Sequence, residues 1–294
     1  MPDRSTRSER SGAPVEPVVI SESARVDLAP CAGGRGGFIG TVRRMTMYLT
    51  LLLAAMLGGA ANALAGGGTF IVFPALLLAG IAPIKANATA SLALVPGAVA
   101  SAWVYREAIR GISVSFIVAM SVASIAGSLV GSLLLMQTSN NTFSQLVPWL
   151  LLMAAAVFTA APWLRKAAAG LGGHQSMALL LAGQFFVAGY GGYFGAGMGV
   201  LMMALYLAAS EMDVHTANGL RTVCAAAINV LAVGIFSWKG AVDFRVGIPM
   251  LVSGIAGGYF GALLVKKLDA EGVRRGILIY AWALTAWFFI RMTI

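Results

Sequence analysis

The chain predicts an all-α, polytopic membrane protein of two homologous repeats, each with a glycine-broken helix pair, the second inverted relative to the first. Three observations carry that prediction. The 294 residues are 59% hydrophobic and 11% charged, with a mean hydropathy of +0.85, whereas a soluble domain carries about 25% charged residues. Apolar runs near the length of a membrane-crossing helix, about 20 residues, recur from residue 47 to residue 290. Two glycine-rich breaks, Ala65-Gly66-Gly67-Gly68 and Ala196-Gly197-Met198-Gly199, interrupt those runs at matching places.

The breaks are copies. Gly58 and Gly189, Gly66 and Gly197, Gly68 and Gly199, and the pairs Ala86-Asn87 and Ala217-Asn218 all differ by 131 positions (197 − 66). Farther on, Ile125-Ala126-Gly127 and Gly131 return as Ile255-Ala256-Gly257 and Gly261, at an offset of 130 (257 − 127). The chain thus divides into a tail over 1–46, a first repeat over 47–170 and a second over 171–294.

Residues 1–46 are rich in Ser, Gly, Pro and Arg and lack an apolar run, a composition that reads as disordered. They show no apolar core or cleavage site of a secretory signal. Met45 and Met47 directly precede the first run, so an over-extended start is one reading of the tail. The apolar runs then cover roughly 47–65, 69–82, 86–105, 112–136 and 145–164, followed by 177–196, 199–210, 214–237, 244–265 and 273–290. The second run of each half is too short to cross comfortably, the pattern of a discontinuous helix or a re-entrant hairpin. Pro74 and Pro83 add to the expectation of irregular backbone in the first half, because proline removes a helix hydrogen bond. Gly127 and Gly131 form a small-xxx-small pair in a full-length run, which reads as close helix packing.

Two topologies satisfy the excess of basic residues on the inner side. Eight crossings with a cytoplasmic N-terminus put ten basic residues inside and five outside; ten crossings with an outer N-terminus put eight inside and four outside. The uncharged loop 137–142 and the basic stretch Lys266–Arg275 occupy corresponding places. That contrast favours inverted repeats.

Arg221 is the only Lys or Arg well inside an apolar run. A cation there should face the protein interior or a water-filled cavity, unless it snorkels to the near interface beside Glu211 or Asp213. Its planar fork suits carboxylate, sulfonate, sulfite or phosphate. Asn87 and Asn218 sit at equivalent places, with Thr89 and Ser91 near the first and Thr222 matching Ser91. Buried amides and hydroxyls need partners, which a solute's oxygens or neighbouring helices would supply. The first amides of the short runs after Gly66, Gly67, Gly68 and after Gly197, Gly199 add donors with partial positive charge. Asn62 and Asn229 are further polar positions without symmetric counterparts.

Other chemistries find no support. Cys31 and Cys224 are far apart and His174 and His215 are isolated, so neither a disulfide framework nor a metal site is read. No carboxylate lies deep in a run, and no phosphate-binding loop or catalytic set is present. The net charge of +9 falls in loops rather than on one amphipathic surface, which points to lipid headgroups and away from nucleic acid. The expectation is a solute carrier without cofactor or catalytic residue, coupled to H+ or Na+ if to any ion, its oligomeric state open. A non-transporting membrane scaffold is the alternative.

The stretch Gly58–Ala65, then Gly66-Gly67-Gly68, Pro74 and Lys85-Ala86-Asn87-Ala88-Thr89-Ala90-Ser91 resembles the sulfite exporter TauE/SafE family. Gly195-Ala196-Gly197-Met198-Gly199 with Thr216-Ala217-Asn218-Gly219-Leu220-Arg221-Thr222 is similar to that family's second repeat. The resemblance runs over residues 47–291. It implies a multipass carrier of the bacterial inner membrane for small sulfur anions such as sulfite, sulfoacetate or other organosulfonates. Gly67 becomes Met198 and Pro74 becomes Leu205 in the second copy, so the two half-sites differ.

Overall fold

A computed structural model describes residues 35–170, 177–264 and 270–293 of the chain. Among them the structure is helical: α1 (Arg35–Ala65), α2 (Thr69–Leu78), α3 (Pro83–Val104), α4 (Val114–Gln137), α5 (Asn140–Gly170), α6 (Met177–Tyr193), α7 (Met198–Ala209), α8 (Val214–Trp238), α9 (Phe244–Leu264) and α10 (Ala270–Thr293). Among the described residues, three segments are long and apolar enough to cross a membrane: Thr41–Asn62, Val114–Gln137 and Val214–Trp238. About two thirds of the first two and half of the third are left uncovered by protein. Lipid is the natural solvent for such a helix.

Several helices begin where local chemistry satisfies their free amides. Ser113 caps α4 by accepting from the Phe116 N–H at 3.4 Å. Asp243, its counterpart at an offset of 130, accepts from the Arg245 N–H at 3.1 Å ahead of α9. Asp213 caps α8 through the His215 N–H at 2.8 Å and the Thr216 N–H at 3.1 Å. At the equivalent start of α3 stands Pro83, which has no amide hydrogen to satisfy.

Two expectations change. α1 starts at Arg35, inside the stretch read as disordered; residues 1–34 lie outside the described residues. Once the apolar run has nucleated a helix, each further residue gains a bond at little cost. Pro74 sits within a continuous α2, and Pro83 opens α3. A proline this near the N-terminus costs a short helix a single bond, so the irregularity is confined to the glycines.

The broken pairs fold back as hairpins. Gly58 of α1 faces Val72 and the Gly68 carbonyl, while Gly183 and Gly191 of α6 face Leu205 and Met198 of α7. The four long glycine-lined contacts then come in matched sets. α4 lies along α6 as α9 lies along α1, and α3 meets α9 as α8 meets α4. A Cβ at Gly127 would strike the Phe185 carbonyl, one at Gly131 the Gly189 carbonyl, and one at Gly257 the Met56 carbonyl. These glycines are packing residues, as the small-xxx-small spacing suggests.

α3 and α8 cross at the centre. The start of α3 touches the start of α9, where the Asp243 N–H donates to Thr89 Oγ1 at 3.0 Å. Its far end touches the start of α8, where the rings of Tyr105 and His215 lie 5.9 Å apart. Thr89 therefore acts as glue between helices. One apolar core links α2, α5 and the α6–α7 break through Phe73, Phe143 and Phe194, whose ring centroids lie 5.4 to 6.3 Å apart edge to face. A fully buried polar chain ties α4, α6 and α7. Gln184 Nε2 donates to Ser124 Oγ at 2.7 Å, and the Tyr206 hydroxyl donates to Gln184 Oε1 at 2.8 Å.

Candidate functional site

The two breaks share a backbone conformation and face each other. Gly66 has φ +72° and its counterpart Gly197 has φ +74°, a left-handed geometry that side chains resist. A Cβ at Gly66 would lie 3.4 Å from the Gly199 Cα, and one at Gly199 would lie 3.6 Å from the Gly66 Cα. Backbone meets backbone at the centre of the molecule.

Arg221 fills the junction. Its side chain is 7% exposed, and its Nη1 would be 2.8 Å from a Cβ at Gly66 and 2.6 Å from one at Gly199. The guanidinium Nη1 thus sits against both breaks, in space that a side chain at either glycine would take. It turns inward rather than snorkelling, and the Asp213 carboxylate is engaged as the cap of α8.

A cavity of about 600 Å³, its open mouth included, adjoins this junction. Gly66, Ser91, Gly199, Arg221 and Thr222 line it, together with Asn62, Thr69, Ser101, Met198 and Asn229. Gly67, Gly68, Gly197, Asn87 and Asn218 lie off the lining. Gly68 packs against the Gly58 carbonyl of α1, and Gly197 approaches Ala154 of α5. Asn87 is buried one turn beyond Ser91, with its Nδ2 donating to the Tyr193 carbonyl at 3.1 Å; Asn218 is half-buried.

Asn62, given little weight for want of a symmetric partner, joins the lining, as does Asn229. The readable signal was helical spacing. Arg221, Ala225 and Asn229 share one face of α8, and Ser91, Leu94, Ala98 and Ser101 share one face of α3. Ser91 Oγ donates to the Asn87 carbonyl at 3.0 Å and Thr222 Oγ1 to the Gly219 carbonyl at 2.7 Å. Their oxygens keep free lone pairs on the cavity side of each helix.

The electrostatics favour an anion. The starts of α2 (Thr69) and α7 (Met198, Gly199) reach the lining. Each helix start carries roughly half a positive charge, and Arg221 adds a full one. None of the residues lining the cavity is acidic.

An all-helical membrane protein with a cationic cavity between two broken hairpins has the build of a membrane carrier. The sequence profile of the sulfite exporter TauE/SafE family matches residues 51–288, and the chain belongs to that family. It is 28% identical over 232 residues to the "Probable membrane transporter protein" of Haemophilus influenzae, covering 76% of this chain and 88% of that protein. It is 27% identical over 236 residues to "Probable membrane transporter protein YfcA" of Escherichia coli K12, covering 80% and 87%. A third relative, "Probable membrane transporter protein ORF9" of a Sinorhizobium species, is 27% identical over 241 residues, covering 80% and 89%. No solved structure matches the chain. Its class is that of the membrane transporters.

Proposed function

We propose that the protein is a multipass carrier of the bacterial inner membrane that moves small oxyanions, sulfite or organosulfonates such as sulfoacetate, by alternating access. The observation that carries this reading is Arg221 held against Gly66 and Gly199 beside the central cavity. The anion binds at the guanidinium, with amide donors from the starts of α2 and α7; the Ser91 and Thr222 hydroxyls join it by turning their O–H from the Asn87 and Gly219 carbonyls towards the anion. The family description supplies the sulfur chemistry. Asn87 and Asn218 support the starts of α3 and α8 around that site.

The two halves are inverted in this reading. Support comes from the exchanged packing partners and from α3 and α8, which run past each other with opposite ends together. Each half holds one hairpin and three further helices, an odd number of passes beyond the hairpin. Rocking of one half against the other would open the cavity to either side.

A thermal-shift screen of purified protein over sulfite, organosulfonates, sulfate and carboxylates tests the proposal. A concentration-dependent rise in Tm with sulfite or a sulfonate, lost in Arg221→Ala, is the expected result. Absence of stabilisation by every anion, in protein that melts cooperatively, favours the non-transporting scaffold.

A further inference from the structure

We propose that a monovalent cation, sodium by the chemistry of its ligands, binds against Asn87 Oδ1 at the C-terminal end of α6. Asn87 is 1% exposed, and its amide is oriented by the Nδ2 bond to the Tyr193 carbonyl at 3.1 Å. That orientation leaves Oδ1 buried with no hydrogen-bond partner among the described residues. A buried acceptor left unmatched is costly. Something with positive character should sit against it.

The surroundings select a cation. Tyr193 closes α6, whose C-terminal end carries partial negative charge. Its carbonyl keeps a second lone pair beside the Asn87 bond. The neighbouring Gly192 carbonyl is held by Ser132 Oγ at 3.3 Å, which fixes this last turn in place. Unwound carbonyls and half-helix C-terminal ends are where carriers hold their coupling ions.

The ligand set also selects the ion. Calcium and magnesium rely on carboxylates, and the described residues form no cluster of acidic, His or Cys side chains. A proton is not a candidate, because an amide does not titrate in the working range. Neutral, hard oxygens suit sodium. One site per chain follows, because Asn218, the counterpart of Asn87, is half-buried and its amide oxygen is not left enclosed without a partner.

The break between α6 and α7 thus offers two poles. Its α6 end faces Asn87, and its α7 end faces the cavity and Arg221. A cation at one pole and an anion at the other would stabilise the same backbone turn. That coupling role rests on the anion-transport reading; the cation site itself does not.

The test is thermal melting of the purified full chain in NaCl, KCl and choline chloride at equal ionic strength. Sodium is expected to raise Tm in a saturable way, with little effect from the other two salts. Asn87→Leu should abolish the sodium effect. Asn87→Asp, which keeps an oxygen and adds charge, should lower the half-saturating sodium concentration about tenfold, and it decides the matter if the leucine variant does not fold. Equal melting in all three salts, or a sodium effect unchanged in both variants, would overturn the proposal. Sulfite stabilisation measured in choline buffer keeps the two readings apart. Its loss with the sodium effect intact removes the anion site alone; its persistence without any sodium effect removes the cation site alone.

Discussion

Arg221 owes its position to what is missing around it. Any side chain at Gly66 or Gly199 would occupy the space of its Nη1. Gly66→Ala adds a left-handed alanine, worth about 1–3 kcal/mol of strain, to that collision. We expect it to lower the Tm and to weaken sulfite binding together. Gly199→Ala meets the same nitrogen at 2.6 Å without a positive φ, so it should weaken sulfite binding with a smaller loss of Tm. Calorimetric titration of both variants checks the split. Arg221 itself was legible in the sequence, as a lone cation within an apolar run. Asn229 was legible only through its helical spacing from Arg221, and Asn62 and Ser101 were not, because their place depends on how α1 and α3 are rotated about their axes. That rotation is set by tertiary contacts such as Thr89 with Asp243.

At the scale of elements, hydropathy located the helices well, since a segment must be apolar to lie in lipid. It could not tell a discontinuous helix from a hairpin. That choice lies in the left-handed Gly66 and Gly197 and in the fit of Gly58 against α2. Gly131→Leu and Gly257→Leu should each separate a helix pair whose backbones now touch. Both are expected to reduce folded yield sharply, as read by size-exclusion profile, whereas Gly97→Leu, with open space around it, should not. The start of α8 carries a pH signature. Hydrogen bonds from Thr216 hold the Asp213 carboxyl below its ordinary value. A group whose folded pKa is depressed stabilises above its ordinary range and loses that contribution as pH falls through the lowered value. Tm should therefore decline on acidification in the wild type, and Asp213→Asn should flatten that part of the Tm–pH curve.

At the scale of the molecule, the repeat reads from the sequence as a constant offset, while its inversion rests there on one charge contrast, between loop 137–142 and Lys266–Arg275. Charge counts satisfied both eight and ten crossings, because basic residues mark a side only after the number of passes is known. In the proposed inverted arrangement, the α3–α4 and α8–α9 connections belong on opposite faces. Arg110 and Lys239 are exposed in those two connections. Arg110→Cys and Lys239→Cys, each in a chain with Cys31 and Cys224 replaced by serine, should label from opposite sides of the membrane with an impermeant reagent. Labelling from one side would make the repeats parallel.

The asymmetry of the halves has a functional sense. The first break contributes Gly66 and Thr69 to the cavity, while the second contributes Met198 and Gly199 and lies under the helix that carries Arg221. The paired breaks are the frame, and one arginine supplies the charge. Sulfite flux into proteoliposomes, comparing wild type with Arg221→Ala at matched protein incorporation, tests this most directly. The account predicts saturable flux in the wild type and a fall of at least about tenfold in the variant, the scale of a lost charge-assisted contact. Equal flux in the two, with the variant folded normally, would contradict it.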